Sequence, residues 1–306
     1  LTVARRGLGA TGNLSYGYFW AGYSSSIVDR IDYSNDTATA SGLQPSQPGP
    51  GASGTGNTSY GYFNVGNSKS TVERIDYSND SASPSPKGSL TSSRTYAVAT
   101  GNASFGYFGG NNNPVESIVD RIDYANDTAT AVTKGPLDGP RGLQGATGNA
   151  SYGYWGGGDS NITMNISSVS RVDFSNDTAT ASPKGPLDTN AHRFTNAVGS
   201  RMNGFPQTTT PEVRAPYQPP FSVPTQLPAP APAHGYYVSG RENGSPSPAT
   251  TKIDRIDFSN DTATTVLKGN MHTGRNRHTS LANQTHGYTG GGNNPALYVS
   301  TSSLHG

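Results

Sequence analysis

The most conspicuous polar pattern in this chain is an Arg-x-Asp tripeptide that occurs five times, each time followed by an Asn-Asp turn. Its charged residues are Arg30, Asp32, Arg74, Asp76, Arg121, Asp123, Arg171, Asp173, Arg255 and Asp257. Residues two apart on a strand share a face, so each arginine should lie beside its own aspartate. We expect a repeated, partly buried ion pair with several hydrogen bonds, because a buried charge without a partner is strongly destabilising.

The turns that follow these tripeptides could carry two other kinds of chemistry. Oxygen-rich turns can bind calcium, but calcium loops have denser carboxylates and a glycine, and Asn-Asp pairs favour β-turns for local reasons. The turns also contain Asn-x-Ser/Thr tripeptides, which accept glycans in a suitable secretory pathway. The acceptor asparagines are Asn35, Asn79, Asn126, Asn176 and Asn260. We predict no metal and no cofactor, and leave glycosylation open beside plain turn formation.

Residues that could build an enzyme site are scarce. The chain has no cysteine, which excludes thiolate nucleophiles, thiolate metal sites and disulfides. Neither a Gly-x-Ser-x-Gly nor a His-Glu-x-x-His motif is present. His272 and His278 are close in sequence, but loop histidines are more often surface residues than metal ligands. A propeller enzyme would need an asymmetric site, either in the irregular region 201–233 or in the segment 271–278.

The charged pattern is one part of a longer repeat. The segment from Thr11 to Phe19 recurs from Thr55, Thr100 and Thr147, and Lys-Gly-Pro-Leu occurs at positions 134–137 and 184–187. The period is about 45 residues, which is typical of four-stranded propeller blades and too long for the common helical repeats. In the first repeat we predict strands at 6–11, 15–19, 26–33 and 37–40. The glycine between Tyr16 and Tyr18 should leave room for a large side chain of a neighbouring blade.

The number of blades depends on the Pro-rich passage at 201–233. Aromatic strands centred on seven glycines predict seven blades, a count that we prefer: Gly17, Gly61, Gly106, Gly153, Gly204, Gly235 and Gly287. The alternative is a six-bladed ring in which 201–233 is a long inserted loop, because proline removes strand hydrogen-bond donors. In either case we predict one all-β propeller domain over 1–306. The repeat phase leaves the last blade without a fourth strand, so we expect the polypeptide to extend beyond both ends.

Composition narrows the class of function. The formal net charge is +1 and no basic run occurs, so nothing marks a nucleic-acid-binding surface. No apolar stretch approaches the 18 or so residues of a membrane helix. The 17 tyrosines and 9 phenylalanines supply core material, and the 39 glycines and 22 prolines favour short strands joined by tight turns.

The order of these segments resembles kelch repeats. In that family, too, an arginine-led strand precedes an aromatic strand ending in Gly-Gly, a strand ending in an acidic turn, and a short polar strand. The glycines at 109–110, 156–158 and 290–292 lie where the family has its double glycine, whereas Thr37 replaces the family's tryptophan. The sequence around Arg-Ile-Asp-Tyr-Ser-Asn-Asp-Thr is also similar to repeats in structural proteins of marine bacterial viruses.

These observations lead us to expect a non-enzymatic structural or adhesion module, displayed on a virion surface or an extracellular fibre as a rigid interaction scaffold. Its partners would be proteins of the particle or fibre, or cell-surface glycans. The alternative is a carbohydrate-binding propeller lectin in which tyrosine and phenylalanine stack on sugars. The presence of only two tryptophans, Trp20 and Trp155, weakens that alternative.

Overall fold

The computed structural model describes residues 1–23, 25–43, 49–160, 166–188, 196–199, 234–241, 249–282, 286–294, 297–298 and 302–305. Within these ranges the chain forms antiparallel strands joined by short connections. Two single 3-10 turns, Tyr124–Asn126 and Phe174–Asn176, follow third strands. No helix in this part of the chain is long and apolar enough to cross a membrane.

The first three blades are meanders in which each strand pairs with the next. Blade 1 consists of β1 (Gly9–Gly12), β2 (Tyr16–Trp20), β3 (Val28–Asp32) and β4 (Ser41–Gly42). Blade 2 consists of β5 (Ser53–Gly56), β6 (Tyr60–Asn64), β7 (Val72–Asp76) and β8 (Ser85–Lys87). Blade 3 consists of β9 (Val98–Gly101), β10 (Phe105–Asn112), β11 (Val115–Asp123) and β12 (Val132–Lys134).

Two further blades have the same order. Blade 4 consists of β13 (Gly145–Gly148), β14 (Tyr152–Gly156), β15 (Val169–Asp173) and β16 (Ser182–Lys184). Blade 5 consists of β17 (Asn196–Gly199), β18 (His234–Arg241), β19 (Ala249–Asp257) and β20 (Val266–Asn270). A sixth sheet contains β21 (Asn276–Ala282), β22 (Gly287–Asn294), β23 (Leu297–Tyr298) and β24 (Ser302–His305).

The sixth sheet differs from the five blades. Both β23 and β24 pair with β22, along different parts of it, and therefore share the position of a third strand. Among the described residues no strand occupies the fourth position. The chain thus has five complete four-stranded blades and one sheet with three strand positions.

The blade count corrects our prediction of seven blades. The strands β17 and β18 pair directly, with Gly199 opposite Gly235, so the strands before and after the passage 201–233 belong to one blade. The passage itself, with Gly204, lies outside the described residues. Six complete blades are not found in the described ranges either, because the sixth sheet has no fourth strand there. The fourth strand was also misplaced: residues 37–40 belong to the turn, and β4 begins at Ser41.

The first strands form a closed ring. Each of β1, β5, β9, β13, β17 and β21 contacts the next, and β21 contacts β1. These strands are rich in glycine, alanine and threonine, whose small side chains allow six strands to approach one axis. Because successive strands are antiparallel, the connections between strands 1–2 and 3–4 lie at one face of the ring. The connections between strands 2–3 and 4–1 lie at the opposite face.

Aromatic side chains of the second strands fill the space between blades. Tyr18 and Phe19 are both fully buried and point to opposite neighbours. Tyr18 stacks on Tyr77 of blade 2 with ring centroids 5.0 Å apart. As predicted, Gly17 makes room for a neighbour: a Cβ there would lie 2.7 Å from Leu281 of the sixth sheet.

Candidate functional site

The predicted arginines lie at the junctions between successive blades, where each pairs with an aspartate of the next blade. Their Nη1 atoms lie 2.7 Å from Oδ2 of that aspartate in four junctions: Arg30–Asp80, Arg74–Asp127, Arg121–Asp177 and Arg171–Asp261. The arginine therefore forms the expected half-buried ion pair, but with a different partner. The partner belongs to the turn between the third and fourth strands of the following blade.

The same aspartate accepts several other hydrogen bonds. At the junction of blades 3 and 4, the Tyr107 hydroxyl donates to Oδ2 of Asp177 at 2.9 Å, and Lys134 Nζ lies 3.2 Å from Oδ1. The backbone nitrogen of Gly135 donates to the Asp177 carbonyl at 2.8 Å. We call this arrangement the junction clamp. Complete clamps also join blades 2–3 and 4–5, around Asp127 and Asp261.

Electrostatics within the clamp favour a charged aspartate. Burial alone would raise the pKa of Asp127, but the hydrogen bond from Tyr62 and the positive charges of Arg74 and Lys87 lower it below the ordinary value. Burial and the hydrogen bond to Asp127 raise the pKa of Tyr62. The guanidinium of Arg74 also lies over the Tyr60 ring, 4.2 Å from its centroid. The neutral phenol and the ionised carboxylate are therefore the stable states.

The aspartates that we predicted as partners have a different role. Asp32 ends its strand and accepts hydrogen bonds from the backbone nitrogen of Ser34 at 2.8 Å and its hydroxyl at 2.6 Å. Asp76, Asp173 and Asp257 make the same pair of bonds, and Asp123 accepts from Ala125 N. Capping its own turn satisfies the side chain locally. The arginine is therefore free of this aspartate and pairs with the aspartate of the next blade's turn, which lies on the same face of the strand.

The predicted glycan acceptors all lie at the face that carries the clamp turns. All five side chains are exposed: Asn35, Asn79, Asn126, Asn176 and Asn260. A second series on the same face is built differently, because Asn13 Oδ1 accepts the backbone N–H groups of Ser15 and Tyr16 at 2.8 Å each. This asparagine holds its turn together, whereas the exposed series is accessible. Glycosylation remains a prediction.

A second set of ion pairs, which sequence reasoning missed, lies toward the opposite face. Arg5 and Asp29 are 2.9 Å apart, Arg94 and Asp120 are 2.7 Å apart, and all four side chains are fully buried. The carboxylate of Asp120 also accepts the Thr91 hydroxyl at 2.6 Å. The sequence signal for this set was an arginine four residues after an apolar residue at the end of a repeat, which follows Leu1, Leu90, Leu137 and Met271.

Blade 4 exchanges the two polar partners of this set. Asp138 stands at the position of Thr91, and Ser170 stands at the position of Asp120. The Ser170 hydroxyl donates to Asp138, which pairs with Arg141 at 2.7 Å. The carboxylate and the hydroxyl have exchanged positions relative to blade 3, and the ion pair with the arginine is kept. This set of ion pairs therefore supports the fold.

The inner strands begin around a small cavity at the face of the 4–1 connections. It encloses about 350 Å³, part of it open to solvent. Its lining includes the residues that stand two before β1, β5, β9 and β13 and the equivalent residue of the sixth sheet: Gly7, Gly51, Tyr96, Leu143 and Arg277. Each of these five has a positive φ, between 53° and 75°. For the three non-glycine residues this conformation costs on the order of 1–2 kcal/mol each.

Two polar residues break the repeat at this cavity, which we call the mouth of the ring. The next position is Leu8, Ala52 or Ala97 in the first three blades, but Gln144 in blade 4 and His278 in the sixth sheet. Gln144 is 1% exposed; its Nε2 donates to Gly109 O at 3.0 Å, and its Oε1 has no hydrogen-bond partner among the described residues. His278 Nε2 lies 3.0 Å from Val238 O, so Nε2 carries the proton and Nδ1 is an acceptor in the neutral ring.

The mouth is thus the asymmetric site that an enzyme or a ligand-binding propeller would use. Arg277 and His278 fall in the segment 271–278, one of the two places where we expected an asymmetric enzyme site. The other marked region, 201–233, lies outside the described residues. No group of three or more His, Asp or Glu suited to a metal occurs in the described ranges. Among the described residues, Gln144, Arg277 and His278 form the polar part of the cavity lining.

Comparison with known proteins supports the fold alone. No protein-family model and no curated protein matches the sequence. Among solved structures, the chain is similar to one described as the structure of YjhT, with a TM-score of 0.70 and 11% sequence identity. The similarity covers 99% of this chain and 95% of the other. At this identity the similarity establishes a propeller of repeated four-stranded blades.

Proposed function

We propose that this protein is a non-enzymatic structural or adhesion module, displayed on a virion surface or an extracellular fibre, where it acts as a rigid interaction scaffold. The observation that carries the proposal is the junction clamp. In four successive junctions one aspartate of a blade receives an arginine and a tyrosine from the blade before it, and in three of them a lysine as well.

The clamp supports a scaffold because it connects blades and not strands within a blade. A charge-assisted hydrogen bond is stronger than a neutral one, and each complete clamp has three cationic or phenolic donors on one carboxylate. Nearest-neighbour interfaces of this kind largely determine the stability of repeat proteins. The repeated polar residues are thereby used in architecture, and the exposed turns between them are held in fixed positions for contact with a partner.

The resemblances to kelch repeats and to repeats of viral structural proteins are part of this proposal. We infer that the blades are kelch-like, since the double glycines lie within or at the end of the second strands and adopt positive φ at Gly110, Gly157 and Gly291. The similarity of the Arg-Ile-Asp-Tyr-Ser-Asn-Asp-Thr wording to repeats of viral structural proteins supports display on a particle. Protein partners in the particle or fibre are the expected contacts.

Localisation tests the proposal most simply. Antibodies raised against the purified chain would be used to label particles, fibres and soluble fractions from the native source, with electron microscopy as the readout. We expect label on the particle or fibre surface. Label confined to the soluble fraction would contradict display, whatever the stability of the ring.

A second candidate, a carbohydrate-binding propeller, is favoured by the mouth alone. The repeated aromatics are buried between blades, so the stacking role that the sequence suggested for them is not open to a sugar. The polar residues that line the mouth are instead Gln144, Arg277 and His278. A glycan array would show binding that is lost in Gln144→Leu but kept in Asn35→Ala, a control on the opposite face. Equal binding by both variants, or none by the native chain, would remove this candidate.

A further inference from the structure

Two series of Asn-x-Ser/Thr tripeptides lie on the clamp face, the face of the ring that carries the clamp turns. The exposed series lies in the turns between third and fourth strands and consists of Asn35, Asn79, Asn126, Asn176 and Asn260. The capping series lies in the turns between first and second strands and consists of Asn13, Asn57, Asn102 and Asn149. Each capping asparagine accepts two backbone N–H groups on Oδ1 at 2.8 or 2.9 Å. The capping turns therefore need their asparagines.

The turns of the exposed series close without the asparagine side chain. In blade 1 the Asp32 carboxylate caps the turn by accepting the Ser34 backbone N–H at 2.8 Å. The Asn35 side chain takes part in one long contact among the described residues, from the Thr37 hydroxyl at 3.4 Å. All five members of the series are described and none has a positive φ, so the left-handed conformation that asparagine tolerates is not required. Turn formation thus explains the capping series and not the exposed one.

The repeat nevertheless keeps the chemistry of the exposed tripeptide. All five copies have the asparagine, and the residue two positions on always carries a hydroxyl: Thr37, Ser81, Thr128, Thr178 and Thr262. Both residues are exposed in every copy, and exposed positions usually tolerate substitution. Buried positions vary more, since Phe19 is replaced by Trp155 in blade 4 and by Tyr237 in blade 5. The constant pair of amide and hydroxyl therefore answers a requirement from outside the fold.

The aspartate between these two residues holds the tripeptide in place. In blade 4 Asp177 is 7% exposed and receives Tyr107, Arg121 and Lys134 in the junction clamp. Its two neighbours, Asn176 and Thr178, are both exposed. The clamp thus buries the middle of the tripeptide and leaves the amide and the hydroxyl accessible from solvent.

We propose that the exposed series is N-glycosylated and that the capping series is not. Asparagine with a hydroxyl residue two positions on is the acceptor pattern of this modification. The co-reactant is a glycosyl diphosphate, supplied to a separate glycosyltransferase. The asparagine Nδ2 forms a bond to the anomeric carbon, the bond from that carbon to the diphosphate oxygen breaks, and the diphosphate leaves with the electron pair. The proton lost from Nδ2 passes to a base of the transferase, and nothing is oxidised or reduced.

The modification places a sugar at each of five successive turns on the clamp face and none at the capping turns beside them. It goes beyond the proposed scaffold role, because it assigns a covalent modification to named side chains. It requires no assumption about where the protein is displayed. A glycosylated chain found only in the soluble fraction, or an unmodified chain on a particle, would therefore separate the two proposals.

Site mapping on the chain isolated from its native source tests the proposal. The chain would be digested and its peptides fragmented by electron transfer, which leaves a sugar attached to its asparagine. We expect sugar on members of the exposed series and none on the capping series. Exposed asparagines without sugar, or sugar on both series alike, would overturn the proposal.

A second measurement tests whether the folded structure selects the sites. The full chain, produced unmodified, would be incubated with a soluble asparagine glycosyltransferase and a nucleotide-activated hexose. Peptides 146–154 and 173–181 serve as unstructured references for Asn149 and Asn176. Relative to its peptide, Asn176 should react about tenfold faster than Asn149 or more, because the Asn149 amide is held by two backbone N–H groups.

Three variants of the same turn sharpen this measurement. Thr178→Ala should abolish the reaction at Asn176, Thr178→Ser should retain it, and Thr180→Ala should leave it unchanged, since Thr180 is exposed but outside the tripeptide. Circular dichroism melting would establish that each variant is folded. Equal relative rates at Asn149 and Asn176, or a Thr178→Ala chain that reacts as fast as the native one, would overturn the proposal.

Discussion

The junctions between blades and the mouth of the ring follow opposite rules. At the junctions the same residue types return in blade after blade, and one aspartate receives an arginine and a tyrosine from the preceding blade in four of them. At the mouth the repeat is interrupted by Gln144 and His278, three non-glycine residues adopt positive φ, and a buried amide oxygen lacks a partner within the described residues. The repeated residues thus explain architecture, and departures from the repeat indicate where a ligand or partner would bind.

The largest effect is expected where blades approach most closely. A Cβ on Gly135 would lie 1.9 Å from the Ala179 carbonyl oxygen, a backbone atom that cannot move without separating blades 3 and 4. Gly135→Ala should lower the free energy of unfolding in urea by about 3 kcal/mol or more, in the range of severe overpacking. Gly269→Ala, at the equivalent position with open space, should change it by less than about 0.5 kcal/mol.

The next effect separates the true partner of the arginine from the predicted one. Asp177→Asn removes the charge that faces Arg121 and Lys134, both largely buried, and should cost about 2–3 kcal/mol in urea unfolding. Asp173→Asn alters a half-exposed turn cap and should cost about 1 kcal/mol or less. Equal losses would mean that the junction clamp contributes nothing specific.

Acid should weaken the junction clamp around Asp127. The pKa of Asp127 is lower in the folded chain than in the unfolded one, so its stabilising contribution is complete above about pH 4 and is lost as the pH falls through the folded value. Urea unfolding at a series of pH values from 6 to 2.5 should show this loss. Asp127→Asn should be less stable at pH 6 and should show a shallower decline, whereas an unchanged slope would exclude a role for this carboxylate.

The smallest effect distinguishes the two asparagine series on the clamp face. Asn13→Ala removes the acceptor of two backbone N–H groups and should cost about 1 kcal/mol. Asn35→Ala should change the free energy of unfolding by less than about 0.5 kcal/mol, because Asn35 is exposed. Both proteins would be produced in a bacterial host without glycosylation. A larger loss for Asn35→Ala would show that this turn also needs its side chain.

Much of the fold was predictable because it depends on local patterns. The Thr11–Phe19 signature predicted an aromatic strand, and Gly17 predicted the close approach of a neighbour, which is Leu281. The partner of Arg30 could not be predicted, because Asp32 and Asp80 offer the same carboxylate and only the spacing between blades selects Asp80. The blade count failed because the spacing of the aromatic strands was preferred to the proline content of 201–233, which favoured a loop, and Gly199 pairs with Gly235 across that passage.

The candidate site was predictable only in part. The segment 271–278 was named as one of two places for an asymmetric site, and it does reach the mouth through Arg277 and His278. Gln144 carried no visible signal, since its role follows from burial and from the register that places it beside Gly109. The positive φ of Tyr96 and Leu143 was also hidden, because the equivalent positions in blades 1 and 2 are glycines and nothing local demands this conformation from larger residues.

A double-mutant cycle tests the central claim most directly, namely that the repeated charges connect neighbouring blades. Arg121→Gln, Asp177→Asn and the double variant would be unfolded in urea beside the native chain, and a second cycle would replace Asp177→Asn with Asp173→Asn. We predict a coupling energy of about 1–3 kcal/mol between Arg121 and Asp177, and one within about 0.5 kcal/mol of zero between Arg121 and Asp173. Coupling to Asp173 and none to Asp177 would contradict the account.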